Sequence, residues 1–398
     1  MKIYLFPFLM DLVCFVVMLH VTNEAGRQKL TNLQAAAFMG MQALVYMLVC
    51  PLAGRVLTRS NAKALLIAST LLILCVNVPA CLLRQYWLVL LLIAGNGIGC
   101  VFFFNSFQTF MRGQEPAGSL ASSIGRYNLA WSAGIGFGYL LGGMLKDALG
   151  PWGLAGMCVL GGLTVVAITV THRPRPLLAA HSDGHIEPSP AGRPPVDARY
   201  VLVGWALMLL ANFTQRPLAT FIPSLSAESG NPATVAGTLI ALLLVSQGVT
   251  SLLGTRLRPL LYRRWTLVGL HLAVIVCLGL LWIAPWTALQ AALLVVLGCV
   301  YGVIFFASIY YVSNHARSSH NVGINEAIVG MGNVLGLFGS EWIMRQFGYD
   351  FAFYPATMAA AAILLVAQLS YLGFTRPAPV PFSATNPPGL PASMNSRP

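Results

Sequence analysis

Charged residues make up only 9% of this 398-residue chain, and Asp and Glu together number 11. Soluble domains carry about 25% charged residues and roughly 45–50% apolar ones, whereas the apolar share here is 57%. So little charge cannot cover a water-facing surface, which excludes a soluble globular domain or a disordered protein and makes lipid the main solvent. Paired cysteine motifs are missing too. All eight cysteines lie inside apolar runs and none forms a CxxC pair, so neither a disulfide framework nor a zinc site is indicated. His181 and His185 stand four apart in a proline-interrupted stretch without a third ligand nearby, which sets metal binding aside. There is no Walker-type Gly-Lys-Ser/Thr, and the Gly-x-Gly pairs lack the strand and helix context of a dinucleotide site. ATP is thus not the expected energy source, an ion gradient is, and no cofactor is called for.

What the chain has instead is a series of apolar runs bounded by charge, Gly or Pro. Candidate spans cover residues 3–21, 31–53, 64–83, 87–110, 124–145, 151–171, 200–222, 233–253, 266–283, 286–312, 327–344 and 351–373. A crossing needs about 20 apolar residues, so twelve fit. The first run carries Pro7 and Asp11 and has no small-residue cleavage site, which reads as a retained helix rather than a signal peptide. Residues 172–199 hold six prolines and are expected to form a cytoplasmic linker between a six-helix bundle over 1–171 and another over 200–373. Residues 374–398, with seven prolines, are expected to be a disordered cytoplasmic tail.

The net charge of +12 follows this topology. With the N-terminus inside, 17 of the 23 Lys and Arg residues fall on the cytoplasmic side, five (Arg27, Lys29, Arg84, Lys146, Arg345) fall outside, and Arg216 lies within a span. Basic side chains are retained on the cytoplasmic side by the insertion machinery, anionic lipid and membrane potential. Both termini are therefore expected inside, in a bacterial inner membrane, and no nucleic-acid partner is needed to explain the charge.

The two halves superpose in sequence with a shift of about 200. Gly99, Phe102 and Phe103 meet Gly302, Phe305 and Phe306 at 203; Gly134 and Gly138 meet Gly332 and Gly336 at 198; Gly54 meets Gly254 at 200. Two similar bundles around a midplane site can rock to expose it alternately to each side. The segment Gly54-Arg-Val-Leu-Thr-Arg-Ser-Asn-Ala-Lys63 resembles the Gly-x-Leu-Ala-Asp-Arg-x-Gly-Arg-Lys signature of the major facilitator superfamily, with Thr58 and Asn61 replacing its Asp and second Gly. Gly134-Ile-Gly-Phe-Gly138-Tyr-Leu-Leu-Gly142-Gly143 is similar to the helix 5 motif of the superfamily's antiporters, with Tyr139 in place of Pro; the antiporters' helix 4 Arg has no counterpart before Gly97-Ile-Gly99. The resemblance implies an all-α membrane protein of twelve transmembrane helices in two pseudo-symmetric six-helix bundles. It also implies secondary transport, with export favoured over uptake.

Within that frame the polar residues of the spans are the candidates for function. A carboxylate in hydrocarbon costs about 2.5–3.5 kcal/mol or more, so Asp11 must face protein or a wet cavity. It is either the proton-coupling group, loaded and released as its surroundings change, or a fixed partner that holds helices together. Asn212, Gln215 and Arg216 share one face of the seventh span, where Arg216 binds solute or pairs with Glu341. Gln42, Tyr46, Asn105, Gln108, Asn128, Trp131, Gln247, Tyr310, Tyr311 and Asn333 complete a set that suits an amphipathic pocket with aromatic walls. Each alone is more readily interhelical glue. Gating is expected from Arg59, Lys63 and Glu326, through a pair between Glu326 and Arg59 or Lys63, and from Gly134 and Gly138, through close packing of the fifth span on the eighth. His271, alone in the ninth span, reads as a hydrogen-bonded membrane histidine. The expectation is a monomeric, proton-coupled transporter of a small organic solute. A non-transporting sensor or scaffold is the alternative, and a membrane enzyme is third because no nucleophile stands beside a base.

Overall fold

The fold is seen in a computed structural model that describes residues 4–58, 60–111, 120–172, 199–284, 287–313 and 318–374. Arg59, His181, His185, residues 173–198 of the expected linker and the tail beyond Phe374 lie outside the described residues. So do the surroundings of Gly54 and the side chain of Gln108. Among the described residues every regular element is a helix. They are α1 (Leu5–Arg27), α2 (Asn32–Val56), α3 (Ala62–Leu82), α4 (Tyr86–Met111), α5 (Leu120–Thr171), α6 (Arg199–Glu228), α7 (Ala233–Leu252), α8 (Gly254–Leu261), α9 (Arg264–Ile283), α10 (Thr287–Ser313), α11 (Ser318–Phe347) and α12 (Phe353–Phe374).

Twelve crossings result, but not one per helix. The 52 residues of α5 would run about 78 Å at 1.5 Å each, far beyond a hydrocarbon core of about 30 Å. Gly150 breaks it with φ 63° and ψ −156°, a conformation open to glycine, and Pro151 restarts the helix. Conversely, α8 has eight residues, too short to cross. Among the described residues ten helices are long and apolar enough to span by length and composition alone, and α6 is not among them. It carries Asn212, Gln215, Arg216, Pro217 and Pro223, and the inward face they occupy is what lowers its hydropathy.

The even number of crossings puts the start of α1 and the end of α12 on one side, called here the near side. On the far side the chain turns after α1, at the α5 break, after α6 and after α11, and a positive φ occurs at each: Lys29 51°, Gly150 63°, Gly230 79° and Gly348 60°. Lys29 and Gly230 are 201 apart, and Gly150 and Gly348 are 198 apart. The duplication thus extends to backbone conformation.

Packing repeats it in finer detail. An alanine Cβ at Gly134 would meet the Phe8 carbonyl and one at Gly138 the Leu12 carbonyl; at Gly332 and Gly336 it would meet the carbonyls of Leu209 and Phe213. Phe8 and Leu12 map onto Leu209 and Phe213 at 201, so α5 sits on α1 as α11 sits on α6. Pro217 has no N–H to offer the Phe213 carbonyl, and this carbonyl is the one Gly336 approaches. In the fourth and tenth spans, Gly97 abuts the Gln42 carbonyl and Val45, while Gly298 abuts the Leu243 carbonyl and Ser246. All three correspondences are at 201, which corrects the shift of 203. Adjacent phenylalanines allow either register, and the glycine contacts select one.

The Gly134, Gly138 and Gly142 stripe therefore faces α1, not the eighth span, α7. A four-residue step keeps one helix face, and that face is turned into the N-terminal half. Contact between α5 and α7 uses Gly125, Gly136 and Gly143, with Gly237 and Gly248 from α7. Leu91, Leu160, Ile363 and Val366 project from the outer surface, and Trp87, Trp152 and Trp265 are exposed near helix ends, as expected of a lipid-facing belt with interfacial anchors.

Candidate functional site

A cavity of about 190 Å³ lies between the halves. Its walls come from α1, α2, α4 and the first part of α5 on one side, and α6, α7, α10 and α11 on the other. These are corresponding helices of the two repeats. α1 is buried on nearly every face, so Asp11 has protein around it and the cavity in front of it. Its side chain is buried, and Oδ2 has no hydrogen-bond partner.

Arg216 stands on α6 with its guanidinium 5.4 Å from the Phe15 ring centroid. One nitrogen donates to Gln42 Oε1 at 3.2 Å, while Nε is buried without a partner. Arg216 lies close enough to act electrostatically on Asp11, yet no ion pair within 4 Å joins them. A solute or water that donates to Asp11 and accepts from Arg216 would satisfy both. Arg216 does not pair with Glu341, the partner weighed from sequence.

Two polar relays start from adjacent residues of α6 and cross between the halves. From Arg216 the first runs through Gln42, whose Nε2 donates to Asn96 Oδ1 at 2.9 Å, and on from Asn96 Nδ2 to Asn77 Oδ1 at 2.8 Å. In the second, Gln215 Nε2 donates to Gln247 Oε1 at 2.5 Å, and Gln247 Nε2 donates to Ser132 Oγ of α5 at 2.9 Å. Helical geometry explains the split, because consecutive residues point about 100° apart.

Of the residues singled out from sequence, Asp11, Gln42, Tyr46, Trp131, Asn212, Gln215, Arg216 and Asn333 line this cavity, joined by Glu326. Gln247 lies behind Gln215. Asn105 donates to the Val101 carbonyl of its own helix at 2.8 Å, and Asn128 accepts from Trp131 Nε1 at 3.1 Å. Neither lines the cavity. Tyr310 and Tyr311 are also elsewhere, bracing the near side. Arg258 of α8 donates to the Tyr310 hydroxyl at 3.0 Å and covers its ring, and the Tyr311 hydroxyl donates to the Leu261 carbonyl. His271 Nδ1 is 2.8 Å from the Leu267 carbonyl and Nε2 3.3 Å from Gln368 Nε2, bridging α9 and α12.

The expected brace to Glu326 takes another form. Lys63 Nζ donates to the carbonyls of Val170 and His172 at 3.1 and 3.3 Å, so it caps the end of α5. Helix ends leave carbonyls without partners, and a cation suits them. Glu326 instead accepts from Tyr46 at 3.2 Å, a contact of α11 with α2. Thr58 and Asn61 close the α2–α3 turn on itself, with Thr58 N donating to Asn61 Oδ1 at 2.8 Å.

Sequence reasoning missed Phe15, Cys100, Phe104, Tyr127, Ile135 and Tyr139, all lining the cavity. Most carried a signal. Phe15 is one turn from Asp11, and Tyr127, Trp131, Ile135 and Tyr139 step by four along α5, a face beside the glycine stripe. Tyr139 also donates to the Ala219 carbonyl across the halves at 3.2 Å.

Two repeated helical bundles enclosing an amphipathic, aromatic-walled cavity between them are the architecture of a membrane transporter of the secondary type. The chain belongs to the Major Facilitator Superfamily, whose family profile matches residues 3–324. The fold is similar to that of a variant of the nucleoside transporter NupG, at TM-score 0.66 and 13% identity over 93% of this chain and 99% of that one. It is also similar to a bacterial homologue of the human lysosomal transporter Spinster in an inward-facing and occupied conformation, at TM-score 0.63 and 17% identity over 93% of each chain. No curated protein matches the sequence.

Proposed function

We propose that this protein is a proton-coupled transporter of a small, uncharged or weakly charged organic solute, with Asp11 as the coupling group. The observation that carries this reading is the pairing, in one cavity, of a buried carboxylate lacking a partner at Oδ2 with a guanidinium lacking one at Nε. A carboxylate in such a place changes protonation when its surroundings change, and Arg216, which stays charged, supplies a fixed field against which it does so. Amides from Gln42, Asn212, Gln215 and Asn333 offer hydrogen bonds to a solute, while Phe15, Trp131, Tyr139 and Phe305 offer flat apolar faces. The distribution of basic residues supports a cytoplasmic near side in a bacterial inner membrane, and the linker and tail are assigned there with it. The helix 5 resemblance favours export. A single chain encloses the cavity, so the monomer is taken as the functional unit.

Purified protein in liposomes tests the reading. A library that includes nucleosides, chosen because NupG is a nucleoside transporter, is screened by thermal shift. Hits are then measured for flux under an imposed pH gradient. The expected result is gradient-driven flux in the unmodified protein, lost in Asp11→Asn with solute exchange retained. Binding without flux under any gradient would favour the sensor or scaffold instead, and equal gradient-driven flux in Asp11→Asn would remove Asp11 from the coupling role.

A further inference from the structure

The helix start of α7 is incomplete within its own half. Four backbone N–H groups at a helix start lack intrahelical partners, and Pro232, at the cap position, offers no side-chain bond. The missing acceptor comes from the other half. Asp147 of α5 accepts from Ala233 N at 3.1 Å through Oδ1, and from Thr234 N at 2.8 Å and Thr234 Oγ1 at 2.7 Å through Oδ2. Its neighbour Lys146 is buried, with Nζ 3.1 Å from Glu24 Oε2 and 3.5 Å from the His20 carbonyl. That tie fixes the last turn of α5 before the Gly150 break to α1, so Asp147 is held in place before it reaches across. Arg27 stands 3.8 Å from Asp147 Oδ1.

The surfaces below the carboxylate are fitted to it. A Cβ at Gly143 would lie 2.7 Å from the Ala233 carbonyl, and one at Gly237 would lie 2.4 Å from the Tyr139 carbonyl. The corresponding corner of the other half carries a weaker version. Asp350, in the turn after α11, accepts from Asn32 Nδ2 at 2.9 Å at the start of α2. There α2 already has its own capping box, from Thr31 and Gln34, so Asp350 holds only an exposed side chain.

We infer that Asp147 is the helix cap, supplied in trans, that clasps the far side shut, and that the far side opens only by uncapping α7. Asp147 is then a positioning residue for the transport cycle, and Asp350 is its subordinate counterpart. This rests on the alternating-access reading above. The asymmetry follows from cap supply, because opening strips α7 of acceptors for two backbone donors and a hydroxyl but leaves the cap of α2 intact.

Electron-spin distances between Gln28→Cys on the N-terminal half and Asn231→Cys on the C-terminal half, in nanodiscs, test it. The background carries Ser in place of Cys50, Cys75 and Cys299, the cysteines that are not buried. Removing an N-cap shifts equilibria several-fold, and here the interface bonds are lost with it. The open-to-closed ratio is expected to rise about twofold in Thr234→Val, more in Asp147→Asn, and about tenfold or more in Asp147→Ala. Asp350→Ala is expected to move it less than about threefold. An unmoved distribution in Asp147→Ala, or a larger shift in Asp350→Ala, overturns the assignment. If Asp147→Ala does not fold, Thr234→Val decides alone, an unchanged ratio overturning the clasp. A far-open population in the unmodified protein with an unmoved Asp147→Ala sinks the clasp alone, whereas a single closed distance in every sample sinks alternating access with it.

Discussion

Replacing Gln42 by Leu cuts the first relay between the cation of the cavity and Asn96 while nearly conserving volume. Two strong bonds disappear, the charge-assisted donation from Arg216 at 3.2 Å and the donation to Asn96 at 2.9 Å, together with a weak donation to Cys100 Sγ at 3.9 Å. Bonds to charged groups contribute about 1.5–3 kcal/mol in proteins, and side-chain bonds between membrane helices average about 0.6 kcal/mol. Arg216 is partly open to the cavity, so water can replace Gln42 and the low end applies. The expected loss is about 2 kcal/mol in unfolding free energy, measured by denaturant titration in mixed micelles. Gln42→Glu keeps an acceptor for Arg216 and strengthens it with a full charge, but sets an oxygen against Asn96 Oδ1 in place of the donation, so it should cost less than Gln42→Leu. A Gln42→Leu protein within about 0.5 kcal/mol of the unmodified one, near the scatter expected of surface substitutions, would refute the relay as a structural element.

Gly138→Ala drives a Cβ to 2.7 Å from the Leu12 carbonyl and should destabilise by about 1–3 kcal/mol. Gly156→Ala meets nothing within 4 Å and should stabilise by about 0.5–1 kcal/mol through helix propensity; unfolding midpoints of the pair read the opposite signs. Lys63→Met should cost less than about 1 kcal/mol as a lost helix-end cation, and in a double-mutant cycle its effect should add to that of Glu326→Gln within about 0.5 kcal/mol. A larger coupling would restore a Lys63–Glu326 pair. Tyr139→Phe removes the bond to the Ala219 carbonyl and should raise far-side opening in the spin-distance assay by less than Asp147→Ala does.

What the sequence made legible was set by strong, local physics. Scarcity of charge and the length of apolar runs revealed the spans, because a bilayer penalises every exposed polar group. Gly and Phe spacing revealed the repeat, and the polar residues of α6 and Asp11 revealed the cavity, because lipid gives them nowhere else to go. Less legible was direction. The glycine stripe of α5 was visible as a face, but nothing in its spacing says whether α1 or α7 covers it. Lys63 was visible as a cation near a gate, yet the carbonyls it caps belong to residues about 107 positions later. Asn105 and Asn128 were indistinguishable from cavity residues, since a side chain that bonds to its own helix looks the same in one dimension. The four-residue step Tyr127, Trp131, Ile135 and Tyr139, aromatic at three of its four positions, was readable and was hidden by the more prominent glycines beside it.

The height of each cross-half bond relative to the midplane decides what alternating access asks of it. A rigid rotation of one half against the other by about 15° displaces a group in proportion to its distance from the axis. Near the edge of the core, about 15 Å from the midplane, the displacement is about 4 Å, more than any hydrogen bond survives. Within about 3 Å of an axis through the cavity it is below about 1 Å, which side-chain torsions absorb. The Asp147 clasp at the far side must therefore break when that side opens, whereas the Tyr46–Glu326 contact, between two residues that line the cavity, lies nearer the axis and moves less. The relays from Gln215 and Arg216, which start at the cavity, can persist throughout. Two adjacent residues of α6 would then act as the pivot, holding Arg216 at a fixed place beside Asp11 while the ends open and close around them.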